Sequence, residues 1–238
     1  MASPLLRKRR SELAAVYHGV SSERGNIVHI PKHFDQSEVP AIHELILHNP
    51  LGALVTAGPS GISANHIPFE LSPESGSHGS LLGHVARANP VWSEVPEKSE
   101  VLVIFQGPNT YISPSWYPSK KEHGKVVPTW NYVVAHAYGR MRAKNDRSWV
   151  RSHIERLTAR EEMAFSPPWS VDDAPAEYVE KLLSAVVGIE IEITRFEAKW
   201  KVSQNRPHED RVGVAEGLRN QGTSAAGSMA SYVEVEKS

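Results

Sequence analysis

The sequence predicts a mainly β fold with added helices (α+β): an antiparallel barrel with a helix pair inserted before the last strand. Three observations carry this prediction. Six or seven apolar or alternating runs follow one another at close spacing. Two amphipathic helical segments interrupt them only late in the chain, ahead of the alternating run Ile189-Glu190-Ile191-Glu192-Ile193. Neither GxGxxG after a strand nor a GxxxxGKS/GxxxxGKT loop occurs, which argues against a doubly wound nucleotide fold.

The elements follow in order. Residues 1–26 are an N-terminal extension expected to be flexible; its run Arg7-Lys8-Arg9-Arg10 reads first as a solvated tail, ahead of a nuclear address or a phosphate-binding arm. Ordered sequence is expected from Ile27, with Val28, Ile30 and Phe34 as the first core residues. Ile42, Leu45 and Ile46 recur at helical spacing after Pro40, until Asn49-Pro50 stops the turn. LGALVTA and ISANHIPFEL flank the turn at residues 58–61 and form a hairpin. In its second strand Ser63, Asn65, Ile67 and Phe69 share one face, and Ile62, Ala64, His66 and Pro68 the other. LLGHVARANP resumes the sheet and ends at Asn89-Pro90. VLVIF and a strand starting near Thr129 enclose a long loop stiffened by Pro108, Pro114, Pro118 and Pro128. After the strand NYVVAHAYGRMRAKN, Asp146 caps a helix whose face is Trp149, Val150, His153, Ile154 and Leu157. Pro167-Pro168 break it, and a second helix from about Asp173 buries Tyr178, Val179, Leu182, Leu183 and Val186 before Gly188 ends it. Ile189, Ile191 and Ile193 then point inward, and the slip in spacing to Phe196 predicts a bulge. Residues 207–238 are a C-terminal helix or arm, loose or docked on a partner chain.

Composition limits function. The 238 residues are 40% hydrophobic and 22% charged, as in soluble globular proteins, and the net charge of −1 provides no global field toward nucleic acid or anionic lipid. The absence of cysteine excludes disulfides, thiolate metal sites and a cysteine nucleophile, and suits a reducing compartment; a cytoplasmic location is expected. No apolar run approaches the roughly 20 residues that span a bilayer, and the start lacks the apolar stretch of a secretory signal.

Four patches combine polar, cationic and aromatic side chains. His84, Arg87 and Asn89 cluster at a strand end, where an arginine fork suits a phosphate; a plain surface arginine is an equal alternative. Asn65 and His66 place polar groups within a strand, more often a structural arrangement than a ligand site. The central loop contributes Ser115, Trp116, Lys120, Thr129, Trp130 and Asn131. Trp200, Lys201, Gln204 and Asn205 follow the last strand, where a tryptophan buried for packing is the plainer reading. No metal-ligand constellation emerges from the 12 histidines. The helix beginning after Asp146 carries Arg147, Arg151, Arg156 and Arg160, but the long, proline-containing connection to the next helix excludes a helix-turn-helix reader.

Together the segments IPKHF, NPLGALVT, SANHIPF, GHVARANPVW, VLVIFQGPNTYISPSWYPSK, VPTWNYVVAHAYGR and APAEYVEKLLSAVVGIEIEITRFEAKWKVSQNR resemble, in this order, the FMN-binding negative transcriptional regulators of the PAI type. The resemblance covers roughly residues 27–219. It implies a split antiparallel β-barrel over residues 27–206, similar to pyridoxamine 5'-phosphate oxidase and flavin reductases, and a homodimer with FMN at the subunit interface. FMN needs stacking, amide partners and a cation at separated points. Arg87 and Lys120 are assigned to the phosphate, Asn65, His66, Thr129, Trp130 and Asn131 to the ring, and Trp200, Lys201, Gln204 and Asn205 to a reach across the dimer. Three functions follow: a flavin-dependent negative regulator, a flavin-dependent oxidoreductase with a nicotinamide reductant, and a flavin or haem binding module without turnover.

Overall fold

The computed structural model describes residues 28–59, 61–96 and 99–234. The N-terminal extension and Ile27 lie outside them. Lys32–Ser238 forms one compact unit, and the elements below belong to it.

Among the described residues, seven antiparallel strands make one sheet in the order β2-β1-β5-β6-β7-β4-β3. They are β1 (Leu51–Gly58), β2 (Gly61–Pro68), β3 (Glu70–Ser72), β4 (Ser80–Ala86), β5 (Glu100–Ile112), β6 (Thr129–Lys144) and β7 (Val186–Lys201). The helices are α1 (Val39–His48), α2 (Val91–Glu94), α3 (Ser119–His123), α4 (Arg147–Glu162), α5 (Ala176–Ser184), α6 (His208–Asn220) and α7 (Ser224–Glu234). Side-chain alternation sets the core. On β6, Asn131, Val133, Ala135, Ala137, Gly139 and Met141 all face inward. On β7, Val187, Ile189, Ile191 and Ile193 do so, and beyond Thr194 the inner face passes to Phe196, Ala198, Trp200 and Val202. The cause is the predicted bulge: Tyr138 pairs with Arg195 and Gly139 with Ile193, leaving Thr194 extra. The sheet curls until β2 meets the turn after β4, where Asn89 Nδ2 donates to Asn65 Oδ1 at 2.8 Å without a continuous ladder. This is the split barrel, with α4 and α5 between β6 and β7 as expected.

Several boundaries differ from the sequence reading. Proline at 68 interrupts what reads as one strand, so β2 ends there and β3 pairs separately with β4. The register shift between Gln106 and Asn109 absorbs Pro108 as a bulge, so β5 continues to Ile112 and the central loop shrinks to residues 113–128. Gly188 does not end the second helix. It lies inside β7, where a Cβ would stand 2.3 Å from the Trp149 ring. Tyr178 and Leu182, expected in the core, are 56% and 49% exposed; α5 buries only Val179 and Leu183. The C-terminal residues form α6 and α7, which bury Val214, Ala215, Leu218, Ala226, Met229, Ala230 and Val233 against the chain's own core. Burial at about 1.5–3 kcal/mol for each larger side chain outweighs the freedom of an arm. No helix among the described residues is long and apolar enough to cross a membrane.

Candidate functional site

One group of candidate residues gathers where β2 meets the end of β4. Asn65 and Asn89 are joined by their amides, and Asn89 Oδ1 also accepts from the Val91 N–H at 3.0 Å. They line a cleft of about 700 Å³ with Thr56 and Ser63, whose hydroxyls lie 2.9 Å apart. His66 is on the opposite face of β2 and exposed. Arg87 lies just beyond β4, and its fork is largely engaged: Nε donates to the Ser184 carbonyl at 2.9 Å, one terminal nitrogen to the Val186 carbonyl at 3.0 Å and the other to Asn145 Oδ1 at 3.2 Å. Two of its five N–H groups remain. His84, on the outer face of β4, is held by α4, with Nδ1 3.2 Å from His153 Nε2. Burial, and secondarily charge on His153, pushes its imidazole below the ordinary range.

The second group gathers where the central loop, β6 and the end of β7 meet. Asp210 on α6 anchors the loop, accepting from the Ser119 N–H at 3.1 Å and its hydroxyl at 2.8 Å. Trp116 lies against α6, where Gly213 and Gly217 clear space for it: a Cβ at either would fall within 2.6 Å of Trp116 atoms. Lys120 and Ser115 are exposed neighbours, 3.4 Å apart. Asn131 is fully buried; its Nδ2 donates to Ser203 Oγ at 2.9 Å, and the backbone at Ser203 takes φ +65° to present that hydroxyl. Lys201 Nζ donates to Thr129 Oγ1. Burial, with the charges of Lys199 and Arg206, holds the Lys201 ammonium below its usual range, as expected of a place lacking negative charge. Trp130 is 54% exposed and meets Tyr111 edge to face at 6.2 Å between centroids. Trp200 Nε1 is buried without a partner among the described residues, and its carbonyl accepts from Gln204 Nε2. Asn205 is exposed.

Register separates the two groups. Ala86 pairs with Val186 at one end of β7, and Tyr132 pairs with Lys201 at the other. At about 3.3 Å per residue, roughly 40 Å or more of strand lies between them. One chain thus brings Asn65 to Asn89, and Asn131 close to the end of β7, but does not bring Arg87 to Lys120 or Lys201. The second group fits a flat anionic cofactor in kind: an exposed indole for stacking, an orphaned buried N–H, and a lysine whose charge a phosphate would favour.

Sequence reading missed Glu70, His153, Arg156 and Asp210 as site residues. Only His153 left a signal, as a polar residue on the apolar face of α4. Its Nδ1–H donates to Glu70 Oε2 at 2.9 Å, and Arg156 Nε donates to Glu70 Oε1 at 2.6 Å.

Comparison with known proteins places this architecture. Residues 28–195 match the family described as "Putative FMN-binding domain". An uncharacterized protein of Emericella nidulans is 38% identical, over 83% of this chain and 93% of that one. The Protease synthase and sporulation protein PAI 2 of Bacillus subtilis is 31% identical, over 87% of this chain and 97% of that one. Among solved structures, the FAD and heme binding protein from Mycobacterium smegmatis aligns with a TM-score of 0.52 at 15% identity, covering 77% of this chain and 80% of that one, a likeness of fold alone. Since the matched segment takes in most of the barrel, the chain belongs to this family of FMN-binding domains, and FMN is the cofactor that membership assigns to it.

Proposed function

We propose that this protein is an FMN-binding negative regulator of transcription that works as a homodimer, with FMN gripped by the Asn65/Arg87/Asn89 end of one copy and the Thr129/Trp130/Lys201 end of the other. The observation that carries the site is the separation of the two groups along β6 and β7. A cofactor held by both needs two chains. Within that site Arg87, through its two remaining N–H groups, and Lys120 take the phosphate, and Trp130 takes the ring. The regulatory reading draws on the likeness to the sporulation protein PAI 2. Direct DNA reading by α4 is disfavoured, because each of its arginines has a carboxylate partner: Arg147 has Glu180, Arg151 has Glu155 and Asp172, Arg156 has Glu70, and Arg160 has Glu161. The signal then passes through a partner protein.

Complementation tests the site. Arg87→Ala and Trp130→Ala each lose FMN binding as pure proteins, whereas a mixture allowed to exchange subunits regains it, because each mixed dimer contains one site built from two intact ends. No recovery in verified mixed dimers refutes the shared site. Arg87→Ala is also expected to weaken FMN more than riboflavin, which lacks the phosphate. A gel shift at low salt that Arg156→Ala abolishes would overturn the exclusion of α4. The second reading, a flavin-dependent oxidoreductase, has one observation in its favour: a cavity of about 400 Å³ beside His84 that a small substrate could enter. NADH-driven flavin reduction and reoxidation by such a substrate would establish it.

A further inference from the structure

The cavity beside His84 lies between β4 and the helix pair α4 and α5. Its walls are apolar, among them Ile154, Trp169, Tyr178, Leu182 and Val186. At about 400 Å³ it falls within the range of small-molecule pockets. Arg151 also lines it, with its guanidinium engaged by Glu155 and Asp172, and so does His84, the end of a chain of hydrogen bonds with only one proton arrangement. Glu70, clamped by Arg156, is a carboxylate and can only accept, so His153 Nδ1 carries the proton facing it. Burial lowers both imidazoles below the ordinary range, which favours the neutral form at neutral pH. His153 Nε2 is therefore a bare acceptor, and His84 Nδ1 must donate to it across 3.2 Å. The lone pair of His84 is left on Nε2, which has no partner among the described residues.

We propose that this cavity binds a flat aromatic molecule bearing an O–H or N–H group, with the rings packed between Ile154 and Leu182 and the donor on His84 Nε2. Glu70, His153 and Arg156 are positioning residues that fix the tautomer. The inference does not rest on the shared FMN site; the ring can belong to a flavin or to a separate aromatic molecule.

Calorimetric titration of the full chain with 1-naphthol and 1-methoxynaphthalene tests it, since only the first can donate. The expected result is that 1-naphthol binds about five- to tenfold more tightly, the yield of one neutral hydrogen bond. His84→Phe is expected to bring the two probes level while the methoxy compound still binds. Leu182→Glu, at the exposed rim where folding is not at stake, is expected to weaken both. Binding of neither probe to the wild type, or an unchanged preference in His84→Phe, overturns the proposal. FMN that competes with 1-naphthol in a His84-dependent manner identifies a flavin as the occupant, and 1-naphthol binding to FMN-loaded protein identifies a separate molecule; either supports it.

Discussion

Gly217→Ala should destabilise the protein, although alanine is the better helix former. In an unconstrained helix interior the exchange gains about 1 kcal/mol. Here the new Cβ would stand 2.4, 2.5 and 2.6 Å from three atoms of the Trp116 indole, about 1 Å or more inside the 3.5–4.0 Å at which carbon atoms attract. These atoms belong to the fused ring system near its attachment, so no rotation of a flexible end relieves all three. Overpacking of this kind costs about 1–3 kcal/mol, and three simultaneous contacts place it in the upper part of that range. The net loss is about 1–2 kcal/mol, or about 2–8 °C in Tm for a chain of this size. Gly227→Ala on α7 is the internal control: a Cβ there meets nothing within 4 Å, so propensity alone should stabilise by up to about 1 kcal/mol. Urea denaturation of the two variants beside wild type reads both effects. If Gly217→Ala stabilised the protein as much as Gly227→Ala, Trp116 would not be seated on α6 and the account of how the central loop is held would be wrong.

Stability should fall with acid earlier than carboxylates alone would dictate. Burial is the leading cause that holds His84, His136 and His153 below the imidazole value of 6.5; the unfolded chain therefore binds more protons below about pH 6.5, and the stability these residues contribute, complete above it, is lost as pH falls through their folded-state values. Three extra protons set an upper slope of about 4 kcal/mol per pH unit, and a urea midpoint flat from pH 7 to 5 would contradict this. Burial would raise the Glu70 carboxyl, but the hydrogen bonds and charges of Arg156 and His153 outweigh it and hold it below 4.5, so its contribution lasts to lower pH than that of an isolated glutamate. Asp210→Ala removes both anchors of Ser119 and should speed proteolysis within residues 119–128 severalfold with little change at other sites; uniform acceleration would point to global loosening instead. Ser203→Ala keeps the φ of +65° while orphaning buried Asn131, at a cost of about 1–3 kcal/mol. Ser203→Gly relieves the backbone and should recover about 1 kcal/mol of that loss, and a glycine variant less stable than the alanine one would refute the strain argument.

What was legible in the sequence depended on range. Alternation at Ile189, Ile191 and Ile193, and its slip toward Phe196, fixed both a strand and its bulge, because period and pleat are local. The cap at Asp146 was legible for the same reason: its carboxylate accepts from the Ser148 and Trp149 N–H groups one turn away. Gly188 shows where local reading fails. A glycine after an apolar helical run signals a helix end, yet here it admits the Trp149 ring, and only the packing of α4 on β7 reveals that. Site geometry was the least legible, since it rests on register. Asn65, Arg87, Trp130 and Lys201 could each be chosen by residue type, but nothing local says that Ala86 faces Val186 while Tyr132 faces Lys201. Those two pairings separate what reads as one site into two groups at opposite ends of β7. Strand length therefore carries a consequence that residue chemistry does not: with β6 and β7 each 16 residues long, a cofactor in contact with both groups must be held by two copies, whereas a cofactor found in contact with only one group would remove the structural reason for a dimer.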